Sequence, residues 1–381
     1  MGRILNAVLR GAAVIIGSAL CIAVCGVLLY TLMLSSGSKS ASATGGVENQ
    51  TILDKFDMYI TNQTSTALDG ILSIKKVYWL SDSDEVAPKA KAENYGVADK
   101  PEDLMWLLEE AKDLIGDQKM SFNQDIKLWK HGKIHYYYDE TILVITWQQM
   151  MDGIVHTISE VKIADASQFR RALAGGEFGS DKQFFATQIA QSVNAVVATS
   201  GDFYKFRHNG IIVHKGKLRR FEGESVDTCF IDDKGDLLFV KRKELKNEKE
   251  AEKYIEDNNV RFSLAFGPVM VDGGKNVVPN SYIIGEINGN YTRSALCQLD
   301  QLHYLFVNTS SYPKYGLTLR QSLKQFADHL VQLGADKAYA LDGGQTTVIA
   351  MDGELISAPD YGYQRQISDI IYFATALPEG G

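Results

Sequence analysis

Near the C-terminus the chain reads Leu341-Asp342-Gly343-Gly344-Gln345-Thr346-Thr347. An acid is followed by two glycines and then, one residue on, by two hydroxyls. The Asp342 carboxylate can accept hydrogen bonds, act as a base or bind a cation. Gly343 and Gly344 can take positive φ and let a ligand approach the main chain. Thr346 and Thr347 can donate to ligand oxygens. The same letters also suit a plain tight turn, because Asp-Gly is common there. An oxygen-rich loop of this kind suits calcium or magnesium, so a divalent cation could bind there, although the sequence requires no cofactor and no full ligand set is visible. The 7 histidines show neither nucleophile nor metal spacing. His208 could reach a pocket but reads as a surface residue.

Asp342 must be delivered by something. Leu319, Leu323, Phe326, Ala327 and Leu330 fall on one helical face, with Thr318-Leu319-Arg320-Gln321 as a capping box and Gly334 as the stop. A short strand, Ala338 to Leu341, then leads into the acid. Upstream, Pro101-Glu102-Asp103-Leu104 opens a helix whose apolar face carries Leu104, Leu107, Leu108 and Ala111. Ile134–Tyr138 and Thr141–Trp147 read as strands around an Asp139-Glu140 turn. Their tyrosines and Trp147 suit sheet packing better than sugar stacking. His156 to Ile163 alternates like a strand, and Gln183 to Asn194 reads as a helix. Ala195–Ala198 is a short buried strand. Hairpins turn at Lys215-Gly216 and Asp233-Lys234-Gly235-Asp236. Glu244 to Asp257 is a charged helix, and Phe262 to Val271 is a strand carrying Gly267-Pro268. The fold class expected is α+β, with a mixed β-sheet core flanked by helices.

The N-terminal end suggests where such a domain works. Gly11 to Leu34 holds 24 residues without a charge, and a bilayer core needs about 20. Arg3 and Arg10 precede the run, whereas the first basic residue after it is Lys39. That asymmetry places the N-terminus in the cytoplasm and the rest of the chain outside, in a single-pass cell-membrane topology. A cleaved signal peptide ending near Ser40-Ala41-Ser42-Ala43 is the alternative, but the apolar run exceeds the usual signal core of roughly 7–15 residues. The organisation expected is a cytoplasmic tail at 1–10, a transmembrane anchor at 11–34, a flexible linker at 35–50, an accessory region at 51–147 and a functional domain at 148–377. With 381 residues, 45% of them hydrophobic, a large core is within reach. The net charge of -8 argues against a nucleic-acid partner. Cys21 and Cys25 lie in the anchor. Cys229 and Cys297 could form one bridge or remain buried thiols. Glycosylation sequons stand at Asn62, Asn290 and Asn308.

Several short stretches occur in an order that resembles the phosphodiester glycosidase family, which includes N-acetylglucosamine-1-phosphodiester α-N-acetylglucosaminidases and bacterial surface proteins. They are Ser200-Gly201-Asp202-Phe203-Tyr204, Gly210-Ile211-Ile212-Val213, Ala265-Phe266-Gly267-Pro268, Arg293-Ser294-Ala295-Leu296-Cys297-Gln298, Gly316-Leu317-Thr318-Leu319, the Asp342 loop, and Arg365-Gln366-Ile367-Ser368-Asp369-Ile370-Ile371-Tyr372-Phe373. The resemblance covers about 155 to 377. Departures from the family pattern fall at Ser200, Ala265, Cys297, Gln345 and the Thr346-Thr347 pair.

That resemblance implies an extracytoplasmic hydrolase cleaving a sugar–phosphate bond in a surface glycan or glycolipid, with a phosphorylated carbohydrate or glycolipid as substrate and no known protein partner. Asp342 and Asp202 are the expected acid and base, with Asp369 in reserve. Arg293 and Arg365 would fork the phosphate oxygens. Gly343, Gly344, Thr346, Thr347, Ser368 and Asp369 would complete the substrate site. The departures favour a competing class, a non-catalytic glycan-binding or envelope-assembly protein on the same scaffold. A third possibility is a vestigial pocket, with residues 51–147 acting through a protein partner.

Overall fold

The computed structural model describes residues 80–81, 86–202, 204–223, 225–282 and 287–378. All of these fall in one compact unit, Val77–Gly381. The expected tail, anchor and linker, and the accessory region up to residue 79, lie outside the described residues. Among the described residues no helix is long and apolar enough to cross a membrane.

The strands, in chain order, begin with β1 (Tyr95–Ala98), β2 (Ile134–Asp139), β3 (Ile142–Met151), β4 (Ile154–Ile163), β5 (Phe169–Leu173) and β6 (Val197–Ser200). The middle of the chain supplies β7 (Ile212–His214), β8 (Lys217–Arg220), β9 (Thr228–Ile231), β10 (Leu237–Val240), β11 (Phe262–Leu264), β12 (Val269–Asp272) and β13 (Lys275–Asn276). The last set is β14 (Ser294–Asp300), β15 (His303–Ser310), β16 (Lys337–Leu341), β17 (Ile349–Met351), β18 (Glu354–Leu355) and β19 (Asp369–Phe373). The helices are α1 (Met105–Glu110), α2 (Lys112–Ile115), α3 (Ala186–Ser192), α4 (Glu248–Asp257) and α5 (Leu323–Gln332).

Two antiparallel sheets dominate. A nine-stranded sheet runs β1-β2-β3-β4-β15-β14-β16-β12-β13, and a five-stranded sheet runs β18-β17-β6-β19-β5. Their facing sides share one core, in which Val144, Val161, Phe306 and Tyr339 of the first meet Phe169, Val197, Ile371 and Phe373 of the second. The other side of the large sheet is covered by α1, α2 and α5 through Leu107, Leu114, Phe326 and Leu330. The outer side of the small sheet is covered by α3. Each large apolar side chain taken fully out of water contributes roughly 1.5–3 kcal/mol toward this stacking. The described part of the accessory region joins the same sheet. β3 runs through residues 147 and 148 without a break, and its paired strand β4 is continuous with the rest.

Covering both faces of the large sheet changes what its polar residues do. β4 alternates as expected, yet every residue in it is buried. Glu160 is fully enclosed and accepts the amides of Ser121 and Phe122, each at 2.7 Å, with His303 Nε2 2.8 Å away. An enclosed carboxylate is tolerated only with that many partners. Tyr137 and Trp147 are buried at 1% and 0% exposure, so they pack the sheet. Cys229 and Cys297 are free, buried thiols, and burial pushes both well above the usual thiol value. Asn308 is fully buried within β15, whereas Asn290 is exposed.

Four expected elements differ from the observed ones. The helix placed at Thr318 begins at Leu323 instead. Ser322 caps it with Gln325 in a reciprocal box, and Leu319 is left 59% exposed. Both tetrapeptides match the capping pattern, but only the second directly precedes the apolar run. The strand expected from Phe262 to Val271 is broken at Gly267-Pro268. Gly267 has φ of 73°, and Pro268 has no N–H for a ladder. β11 therefore joins β9 and β10 in a three-stranded sheet, and β12 joins the large one. The helix expected over 183–194 occupies only Ala186–Ser192. The one expected from Glu244 starts at Glu248, where Asn247 accepts the Glu250 amide.

Candidate active site

β16 lies between β12 and β14, and Asp342 follows its last residue. Ser294 pairs with Leu341, so one step further in this register sets Arg293 opposite Asp342. The two glycines have different reasons for their type. A Cβ on Gly343 would stand 2.3 Å from the Thr292 carbonyl oxygen, so only glycine lets β14 and the loop come this close. Gly344 has φ of 70°, the left-handed region.

The Asp342 side chain is 18% exposed. Its Oδ2 accepts from Arg365 Nη2 at 2.8 Å, with Arg365 itself 38% exposed. Burial raises the Asp342 carboxyl above its usual value. Arg365, the Thr346 hydroxyl, Arg207 and the Gly343 amide pull it back down. The Arg365 guanidinium lies 5.3 Å from the Phe206 ring centre, and that of Arg207 lies 4.9 Å from the Phe266 ring centre. Arg365 thus contacts a partly open carboxylate on which the Arg207 charge also acts, and each guanidinium lies over an aromatic ring. The sequence does not mark Arg207, whereas its neighbour His208 reads as a residue that could reach the pocket. The histidine is exposed. An arginine between a phenylalanine and a histidine in a loop carries no spacing signal of its own.

The rest of the loop is occupied with holding its own shape. Thr346 and Thr347, both buried, donate to the carbonyls of Gly343 and Gly344 at 2.8 Å. The Gly344 amide donates to Thr292 O at 3.3 Å. These groups therefore fix Asp342 in place and are already engaged where ligand contacts were expected. Arg293 donates to the Gly289 and Gln321 carbonyls, the latter at 3.1 Å, and lies over the Tyr291 ring at 5.3 Å. Both carbonyls belong to neighbouring loops.

Asp202, Ser368 and Asp369 form a second, enclosed cluster around Arg171, another residue that sequence did not single out. Asp369 Oδ2 accepts from Arg171 Nε at 2.8 Å, and Arg171 Nη2 stands 2.7 Å from the same oxygen as its ion-pair partner. The Asp202 amide donates to both Asp369 oxygens at 3.1 and 3.0 Å, and Ser368 Oγ donates to Asp369 Oδ1 at 3.2 Å. Asp202 Oδ2 accepts the Ala265 amide at 2.7 Å and stands 4.0 Å from Arg171 Nη2. The Arg171, Asp202 and Asp369 side chains are at most 1% exposed. Burial raises the Asp369 carboxyl, Arg171 opposes that, and neighbouring Asp202 adds to the rise. The cluster ties β5, β19 and the end of β6 to the loop before Gly267. Arg171 escapes sequence reading because Phe169-Arg170-Arg171-Ala172-Leu173 looks like a strand with solvated charges. Among the described residues no group of three or more His, Cys, Asp or Glu side chains is placed to hold a metal ion.

Residues 193–374 match the phosphodiester glycosidase family. That segment, just under half of the chain, is similar to the family. Every catalytic and binding candidate discussed above, apart from Arg171, lies inside it. No curated protein matches the chain. Among solved structures, the chain is similar to the catalytic domain of zebrafish N-acetylglucosamine-1-phosphodiester alpha-N-acetylglucosaminidase, auto-inhibited by its pro-peptide. The two share 16% identity over 61% of this chain and 83% of that one, with a TM-score of 0.48. A hypothetical protein from Synechocystis shares 14% identity over 63% of each chain, with a TM-score of 0.44.

Proposed function

We propose that this phosphodiester glycosidase domain hydrolyses a glycosyl-1-phosphodiester bond, with Asp342 as the reacting carboxylate and Arg365 and Arg207 as the phosphate-binding pair. The observation that carries the reading is the partly open Asp342–Arg365 contact, with the Arg207 charge also acting on that carboxyl. A phosphodiester brings one permanent negative charge, which two guanidiniums match. Ionised Asp342 then activates water for attack at the anomeric carbon. The carbon–oxygen bond breaks, its electrons leave with the phosphate, and the products are a free sugar and a phosphomonoester. Phosphate is a good leaving group, so the second carboxyl of ordinary glycosidases is not required. Asp202 is assigned here to the enclosed network that shapes the loops. The substrate expected is a surface glycan or glycolipid, reached from an anchor at residues 11–34.

The test is hydrolysis of a panel of sugar-1-phosphodiesters in oxygen-18 water, with and without divalent cations. Label in the released sugar supports attack at carbon. Label in the phosphate would mean a phosphodiesterase and would reject the reading. Glycan binding without release from any substrate would support the non-catalytic reading, which the engaged hydroxyls and amides of the 343–347 loop favour.

A further inference from the structure

Eight aromatic side chains stand exposed among the described residues. Phe206, Tyr291, Tyr361 and Tyr363 belong to the loops around Asp342, while Trp106, Phe184, Phe185 and Tyr315 lie elsewhere in the chain. Tyr361 and Tyr363 are the most open of all, at 74% and 61%, with ring centres 6.5 Å apart. They sit on the segment that carries Arg365, whose amide donates to the Gln345 carbonyl at 3.2 Å. The Asp360–Gly362 turn packs against the Gly344–Thr346 turn beside Asp342. Phe206 and Tyr291 each lie under an arginine, Arg365 and Arg293.

Nothing in hydrophobic packing explains the two open tyrosines. Tyr361 holds φ of 64°, a left-handed conformation that is unfavourable for a bulky residue. The turn is pinned from one side by the Arg320–Asp360 ion pair at 3.2 Å, with Asp360 buried. A strained residue held in place while its ring projects into solvent fits a ligand contact better than a fold contact. The pairing of rings with hydroxyls and guanidiniums suits sugars, which present apolar C–H faces and polar edges, rather than an acyl chain, which needs a continuous apolar groove.

We propose that these rings form a platform on which successive residues of a glycan chain stack, so that the ligand of this site is an oligosaccharide or polysaccharide rather than a single sugar. The inference rests on the reading above in taking the ligand to be a saccharide.

The test titrates the full chain, its Tyr361→Ala/Tyr363→Ala variant and its Tyr361→Phe/Tyr363→Phe variant. The probes are neutral hexasaccharides of N-acetylglucosamine and of glucose, the matching monosaccharides, and phosphatidylcholine vesicles. The expected result is that the parent and the phenylalanine variant bind a hexasaccharide alike, while the alanine variant binds it roughly tenfold or more weakly. Equal binding by the alanine variant, no binding of either hexasaccharide, or vesicle binding that depends on the two rings would overturn it. Hydrolysis of a small sugar-1-phosphodiester is followed in the same samples. Ring-dependent hexasaccharide binding without hydrolysis rejects the hydrolase reading and leaves the platform standing. Hydrolysis with ring-independent binding does the reverse.

Discussion

Replacing Arg365 with glutamine should move the pH dependence of catalysis upward. The Arg365 Nη2–Asp342 Oδ2 contact is 2.8 Å, with the side chains 38% and 18% exposed. Unit charges about 4 Å apart attract by roughly 4 kcal/mol at an effective dielectric near 20. Arg365 is more than one-third exposed, so solvent screening reduces this to on the order of 1 kcal/mol. Burial already holds Asp342 above the ordinary carboxylate value, and Arg365 is the largest influence opposing it. Removing that charge moves the acid limb of kcat/KM up by just under one pH unit, because 1.36 kcal/mol corresponds to one. The assay is a kcat/KM profile of parent and Arg365→Gln enzyme on one sugar-1-phosphodiester. Weaker phosphate binding lowers the plateau, whereas the midpoint of the limb reports Asp342. The stability sign follows from the same shift. An acid raised in the folded state favours folding below its unfolded-state value and loses that contribution as pH rises through the raised value. The variant should therefore lose thermal midpoint relative to the parent as pH climbs through that window. A limb that stays put, or moves down, would show that Asp342 is not the titrating group.

Two further substitutions separate the open site from the enclosed cluster. Arg171→Met leaves Asp202 and Asp369 enclosed beside each other without their cation. It should cost about 3–5 kcal/mol in urea unfolding, with the deficit widening as pH rises through the raised Asp369 value. An unchanged unfolding midpoint would contradict a structural role for this network. Gly343→Ala places a methyl 2.3 Å from the Thr292 carbonyl, a backbone atom that cannot step aside alone. It should lower stability by about 1–3 kcal/mol and activity with it, and a crystal structure of the variant showing an unmoved loop would refute the close-approach argument.

Much of the strand framework is legible from sequence. The Asp139-Glu140 turn, the Lys215-Gly216 hairpin and the strand feeding Asp342 all follow from alternation and turn residues. What pattern alone misplaces is anything decided by a second layer. β4 reads only as an alternating strand, but α5 and the Ser121–Phe122 segment cover its His156 and Glu160. Thr318 and Ser322 offer equivalent caps, and only burial of Leu323 and Phe326 chooses between them. The candidate site shows the same limit. Asp342 and Arg365 lie 23 residues apart and are brought together by the fold. Asp202 and Asp369 are equally acidic, yet Arg171, arriving from β5, encloses them. Arg207, in the segment after β6, acts on the Asp342 carboxyl only through the fold.

The central claim is that Asp342 drives release of sugar from a sugar-1-phosphodiester. The most direct measurement compares initial rates of sugar release by the parent protein and by Asp342→Asn on the same substrate, with unfolding midpoints recorded alongside. The variant keeps the shape of the side chain and removes its charge. A fall of at least about a hundredfold in rate with the midpoint nearly unchanged is the result this account predicts. Equal rates for the two proteins would contradict it.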